Sequence, residues 1–129
     1  MEIDGSGFDS LEGFFQEVSA RVVSEPWGEN LDAFNDILRG GFGTPEGGFV
    51  LRWVNSERSR QALGYPKTAR YLEEILRRCH PANTASVTAK LKKARAGEGD
   101  TLFDILVEIF RVHGPGGREE QDGVDLELA

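Results

Sequence analysis

A chain of 129 residues with 39% hydrophobic residues and a net charge of −7 is long enough to bury one sizeable core, and a single domain over 1–129 is expected. Its one cysteine, Cys79, excludes an internal disulfide and suits a reducing compartment. No apolar run approaches the length of a membrane span, and residues 1–4 carry neither a basic cluster nor a hydrophobic stretch, so a cytoplasmic protein without membrane association is expected.

Residues 1–4 predict a short opening strand, stopped by Gly5-Ser6-Gly7. Asp9 followed three residues later by Glu12 has the pattern of a capping box. A helix is expected over about 10–23, with Leu11, Phe14, Phe15, Val18 and Val22 on its buried stripe, and Pro26 breaks it. Asn30 is an N-cap for a second helix over about 31–39, in which Leu31, Phe34, Ile37 and Leu38 repeat at helical spacing. Gly40-Gly41 supplies its left-handed stop. The loop 43–48 is Gly-rich but lacks the Gly-Lys-Ser/Thr of a phosphate loop.

Residues 49–54 are nearly continuously apolar and β-prone, which predicts a central strand covered on both faces. A helix capped by Ser56 follows over 56–63, ended by Gly64-Tyr65-Pro66. Two more helices, over 67–79 and 85–96, are expected as an antiparallel pair. Gly97 to Asp100 then break and recap the chain, and Leu102, Phe103, Ile105, Leu106, Ile109 and Phe110 mark a strongly amphipathic helix ending near His113. Residues 114–123 read as a polar, mobile loop. Val124, Leu126 and Leu128 alternate with Asp125 and Glu127 as a final edge strand. Three strands separated by helices predict an α/β fold with a parallel sheet.

The second helix carries the candidate site. Asp32 and Asp36, four residues apart, stand one above the other on its polar face, with Glu29 just ahead and Asn35 beside them. Like charges at this spacing cost an isolated helix roughly 0.2–0.5 kcal/mol. Asp32 recovers part of that near the positive end of the helix dipole, whereas Asp36 does not. Such a face is either simply solvated or an anionic surface for a cationic partner.

Charge is unevenly spread along the chain. Residues 56–96 hold ten Lys or Arg against three acidic residues, a local balance of +7 that leaves −14 for the remainder. That remainder excludes phosphate-driven nucleic-acid binding, and the basic segment lacks the interleaved aromatics of a nucleic-acid module. The two histidines, His80 and His113, are not spaced with the carboxylates as metal ligands, and Cys79-His80 is an adjacent pair without a nucleophile signature. No catalytic residue, metal or cofactor is therefore expected.

The stretch from Trp27 to Leu38, Trp-Gly-Glu-Asn-Leu-Asp-Ala-Phe-Asn-Asp-Ile-Leu, resembles the aromatic-Gly-Glu-Asn-Leu-Asp-Ala-Leu-Trp-Asp signature of the barstar family, intracellular inhibitors of secreted bacterial ribonucleases. Phe49-Val50-Leu51-Arg52-Trp53 is similar to that family's central strand, and the first and last helices and strands match in pattern. The resemblance implies a barstar-like α/β fold, a three-stranded parallel sheet packed with helices, in which residues 64–100 are an inserted helical hairpin.

It also implies a function by occupancy. The acidic helix and the loop after it would plug the active site of a secreted, barnase-like microbial ribonuclease in a one-to-one complex, with Asp36 where a substrate phosphate binds and Asp32 one turn earlier. Glu108, on the last helix, falls at a further acidic contact of the family. Asn35 stands where the family has a contacting tryptophan, Pro26 replaces a tyrosine, and Phe42 replaces an aromatic of a Gly-Trp pair. Trp27 and Phe42 would restore aromatic contact to the partner-binding set of Glu29, Asp32, Asn35 and Asp36. The basic hairpin would pack away from this face. The alternative is an acidic adaptor domain that binds protein partners without inhibiting a ribonuclease.

Overall fold

The computed structural model describes residues 1–45 and 47–129. Glu46, in the Gly-rich loop 43–48, lies outside the described residues. Among the described residues the chain forms β1 (Glu2–Asp4), α1 (Leu11–Arg21), α2 (Leu31–Ile37), β2 (Phe49–Val54), α3 (Ser56–Ala62), α4 (Tyr65–Arg78), α5 (Thr84–Arg95), α6 (Leu102–Val112) and β3 (Val124–Leu128), with short 3-10 turns at Gly5–Gly7, Pro81–Asn83 and Glu120–Asp122. Among the described residues no helix is long and apolar enough to cross a membrane.

The three strands form one parallel sheet in the order β1-β2-β3, with Ile3 opposite Trp53 and Trp53 opposite Leu128. This is the parallel α/β sheet that the order of elements predicts, with β2 central and β3 at an edge. The expectation that β2 is covered on both faces is corrected. Leu51 and Trp53 are fully buried, but Val50 is 48% exposed and Arg52 is exposed. Side chains alternate across a strand, so a nearly continuous apolar run still places one face against the helices and the other in solvent.

Trp53 sits at the centre of the core. Its ring lies 5.3 Å from Phe14 of α1 and 5.1 Å from Phe103 of α6, and Phe14 and Phe110 both meet Phe34 of α2, at 5.3 and 5.0 Å. Each such aromatic pair adds on the order of 0.5–1.5 kcal/mol beyond the area it buries. The indole N–H of Trp53, buried away from water, donates to Ser59 Oγ at 3.0 Å on α3. That bond avoids an unsatisfied buried donor.

Several local expectations shift. The N-cap of α1 is Ser10, whose hydroxyl accepts from the Gly13 N–H at 3.0 Å, rather than Asp9. Ser56 is the first residue of α3 rather than its cap. Its N–H and its hydroxyl both donate to the Ala129 carbonyl, and Asn55, at φ 55°, takes the capping position with no side-chain bond to the helix. For Ser56 a tertiary partner, the Ala129 carbonyl, takes the hydroxyl that a cap rule would give to the helix.

The expected loop at 114–123 takes a turn-rich path with a paired backbone. Glu119 donates its N–H to Val112 O, Gly117 to Gly114 O, and Gly123 to Glu120 O, while the Gly116 N–H reaches the Glu120 carboxylate. Gly117 packs so closely on the end of α6 that a Cβ there would lie 2.2 Å from Arg111 O. Polarity and glycine content mark a turn-rich path, and here the backbone groups of that path are paired.

The α4–α5 pair has a small core of its own, Leu72, Leu91 and Ala94, and Tyr71 packs against both this core and the main one. Thr68 ties α4 to α6, accepting from the Leu102 N–H at 2.8 Å while donating to Gly64 O.

Gly5 gives a direct test of the packing around Trp53. A Cβ there would stand 2.3 Å from Ser59 Oγ and 2.5 Å from Asn55 O. Gly5→Ala must therefore displace the indole's partner or the backbone, and we expect a loss of about 2 kcal/mol or more. Urea denaturation followed by tryptophan fluorescence measures it. A loss under ~0.5 kcal/mol would show that the turn after β1 yields freely.

Candidate functional site: the acidic helix and its bracing network

Helix α2 is seven residues long and is built as expected at its start. Asn30 Oδ1 accepts the Ala33 N–H at 2.8 Å, and Phe34 and Ile37 are buried at 1% and 0% exposure. It closes two residues earlier than the sequence suggests, in a tight last turn where the N–H groups of Arg39 and Gly40 donate to the carbonyls of Asp36 and Ile37. Gly40 and Gly41 then take φ values of 106° and 100°, a region that β-carbon sterics close to other residues.

The outward face carries Asp32 and Asp36, both exposed, and Glu29, exposed at φ 48° just ahead of the N-cap. Arg39, one turn after Asp36, donates to Asp36 Oδ1 at 2.7 Å. Among the described residues the second carboxylate oxygen of Asp36 has no hydrogen-bond partner, and the side chain is 61% exposed. The same guanidinium grips Glu119, with Nε 2.9 Å from Oε1 and Nη2 3.2 Å from Oε2. A bidentate fork of this kind orients both partners. It holds the Glu119 carboxyl below its ordinary value and pushes Arg39 up, in each case chiefly through their mutual hydrogen bonds.

Asn35 is half-buried, and its side chain bonds into the interior. Its Oδ1 lies 2.7 Å from Nε2 of His113, and Nδ1 of that ring lies 2.6 Å from Asp122 Oδ2. His113 closes α6 and is wholly buried. The acidic helix, the end of α6 and the turn before β3 are therefore joined through one imidazole. His113, Glu119 and Asp122 bring their potential ligand atoms within 4.8 Å of one another. However, Arg39 already engages both oxygens of Glu119 and both ring nitrogens have partners, so the cluster is filled as a hydrogen-bond and ion-pair network.

The remaining expected site residues separate. Glu108 is exposed on α6 and borders a shallow depression of about 500 Å³ with Asn35, Arg39 and Glu119. Trp27 is half-buried, donating its indole N–H to Ser19 Oγ at 2.7 Å and meeting the Phe15 ring edge-on at 5.5 Å. Phe42 is also half-buried against the core, and its carbonyl accepts the Ser24 N–H. Each aromatic keeps only part of its surface for a partner. Glu29 and Asp32 line a different, larger groove of about 970 Å³, whose far wall is α4. The expectation that the whole hairpin packs away from the acidic face therefore needs correction for α4, while no α5 side chain lines this groove.

Arg39 was legible as an i+3 partner of Asp36. Glu119, Asp122 and His113 were not, because 78 to 80 residues separate the bonded pairs Asn35–His113 and Arg39–Glu119.

With this geometry in view, the match to known families defines the class of protein. The chain matches the family model described as Barstar (barnase inhibitor) over residues 1–92, from β1 into α5. It belongs to that family, a family of inhibitors of barnase-type ribonucleases rather than of enzymes. No curated protein matches the chain.

The Arg39–Glu119 fork predicts a pH dependence. The Glu119 carboxyl is held below its ordinary value of 4.5 in the folded protein, so its contribution to stability is complete above that value and is lost as pH falls through the lower folded value. Glu119→Gln should flatten the decline of stability as pH falls below the ordinary value of 4.5, read from urea midpoints along a pH series. An unchanged decline would mean that the fork is broken in solution.

Proposed function

We propose that this chain is an intracellular, cytoplasmic inhibitor of a secreted bacterial ribonuclease of the barnase-like kind, binding it one to one as a monomer and filling its active site with α2 and the adjoining loop. The observation that carries this reading is Asp36. It is an exposed carboxylate on a helix braced from within, with one oxygen held by Arg39 and the other, among the described residues, without a hydrogen-bond partner. A ribonuclease cleft must offer Arg, Lys and His donors to a phosphate, and a fixed carboxylate meets them with charge-assisted hydrogen bonds. Occupancy needs no chemistry from the inhibitor. Within the same reading, residues 64–100 are a helical addition to one barstar-like domain, and Asp32, Glu29 and Glu108 extend the acidic surface around Asp36.

Truncating one partner of a desolvated charge pair strands the other, and Asp36→Ala should weaken inhibition by about 3 kcal/mol or more, a scale set in part by the founding complex of this family. The measurement is inhibition of purified microbial ribonucleases, with circular dichroism to show that the fold survives. A loss below roughly 1 kcal/mol would remove Asp36 from the centre of the contact. Binding without inhibition would favour the acidic adaptor.

Steering gives an independent test of the same patch. Long-range attraction should raise the association rate above the unsteered range of about 10⁵–10⁶ M⁻¹s⁻¹. Raising salt to about 1 M shortens the screening length to roughly 3 Å, so association should slow steeply while dissociation changes little. Asp32→Asn and Glu29→Gln should each flatten that dependence in stopped-flow mixing. A salt-independent association rate would mean that the face is merely solvated.

A further inference from the structure

The groove between α2 and α4 carries unpaired charge of both signs. One side is lined by Glu29 and Asp32, with Glu12 of α1 beside them, and the other by Lys67, Arg70 and Arg78 of α4, where Glu74 also lines the groove but is paired with Arg77. Among the described residues the other six form no salt bridge. Elsewhere on the hairpin the arginines are occupied, Arg77 by Glu74 and Arg95 by Glu73. Opposite charges that face a common groove without meeting leave both sets available to a third group.

The groove floor is apolar, formed by Phe15, Leu31, Ile75 and the half-buried Tyr71. Burial pushes the Tyr71 phenol above its ordinary value, with Arg78 acting against the shift and the Asp32 carboxylate adding to it. Both walls therefore act on the groove floor. The groove is also continuous with the acidic face, since Glu29, Asn30 and Asp32 border it while Asp36 stands one turn further along α2.

We infer that this groove is a second docking surface for the inhibited ribonuclease, and that it receives an acidic segment of that enzyme lying beside its basic cleft. The inference rests on the inhibitor reading above. With Asp36 in a cationic cleft, surface next to that cleft is carried over Asp32 and onto α4. An acidic side chain there would meet Arg70 and Arg78, and an apolar neighbour would cover Tyr71 and Ile75. The wall selects among enzymes, because one presenting only cations beside its cleft would oppose α4 with like charge.

The sign of a charge reversal tests this. Arg70→Glu with Arg78→Glu makes the chain four charges more acidic, which by steering alone should tighten binding to a basic enzyme. A groove that holds an acidic segment predicts the opposite, a loss of affinity of at least about tenfold. Arg70→Gln with Arg78→Gln should lose less. Lys90→Glu with Lys93→Glu, the same change on exposed positions of α5 outside the groove, should leave affinity within about twofold or improve it.

The probe is the purified microbial ribonuclease that the full chain inhibits most strongly in a panel, titrated at low salt against each variant, with circular dichroism to verify folding. Unchanged or tighter binding of the Arg70→Glu, Arg78→Glu protein, while Asp36→Ala still weakens it, overturns the inference and leaves the inhibitor reading standing. Equal losses from the α5 pair overturn it too, since the effect would then be one of overall charge. Failure to inhibit any enzyme of the panel overturns both.

Discussion

A helix of seven residues cannot hold its own shape in water, because nucleation costs more than so few hydrogen bonds return. Everything that α2 presents therefore depends on how the rest of the chain grips it. Phe34 and Ile37 enter the core at 1% and 0% exposure, with the Phe34 ring set between Phe14 and Phe110. Asn35 bonds to His113, and Arg39 to Glu119. The inward side chains set the position of the helix, and the two polar links tie it to the segment that leads into β3. The spread of the outward carboxylates follows from that attachment.

The network also resolves an electrostatic difficulty. Asp36 lies in the last turn of α2, where the helix dipole is unfavourable to a carboxylate, and Asp32 stands one turn away with the same sign. Arg39 compensates the first problem, and Glu119 then compensates Arg39, leaving the three groups with one net negative charge. Because Arg39 takes a single oxygen of Asp36, the carboxylate keeps acceptor capacity for an incoming donor. A partner can bind Asp36 without first dismantling the brace.

Much of the fold was legible because local signals and tertiary structure agree. The alternation in residues 124–128, the Asn30 cap and the spacing of Phe34 and Ile37 all describe what the chain does, and β2 occupies the predicted residues 49–54. Readings failed where a distant partner decided the outcome. Ser56 bonds to Ala129 across 73 residues, which no cap rule anticipates. The turn from 114 to 123 folds onto the end of α6 and onto Arg39. At the site, periodicity and resemblance located Asp32, Asp36 and Glu29 on one exposed face, but Asn35 turns inward because a fully buried imidazole waits there. Position 35 thus serves as a structural link to His113, and Trp27 and Phe42 are half-buried against the core.

The distribution of charge gives the remaining step. The acidic helix and the basic hairpin are opposite in sign, and sequence arithmetic suggested keeping them apart. The structure separates them only in part: α5 stays outside the groove, while Lys67, Arg70 and Arg78 of α4, with Glu74 paired to Arg77 among them, line it together with Glu29 and Asp32. Direct pairing would have cancelled the field of the acidic face and covered Tyr71. Instead, among the described residues, Glu12, Glu29 and Asp32 and Lys67, Arg70 and Arg78 border the same space without forming salt bridges, the arrangement on which the proposed docking surface rests. Electrostatic complementarity of this kind favours specificity and encounter more than raw affinity. An inhibitor facing several basic ribonucleases gains discrimination from the surface around the cleft, because the phosphate-binding groups within it are what such enzymes have in common.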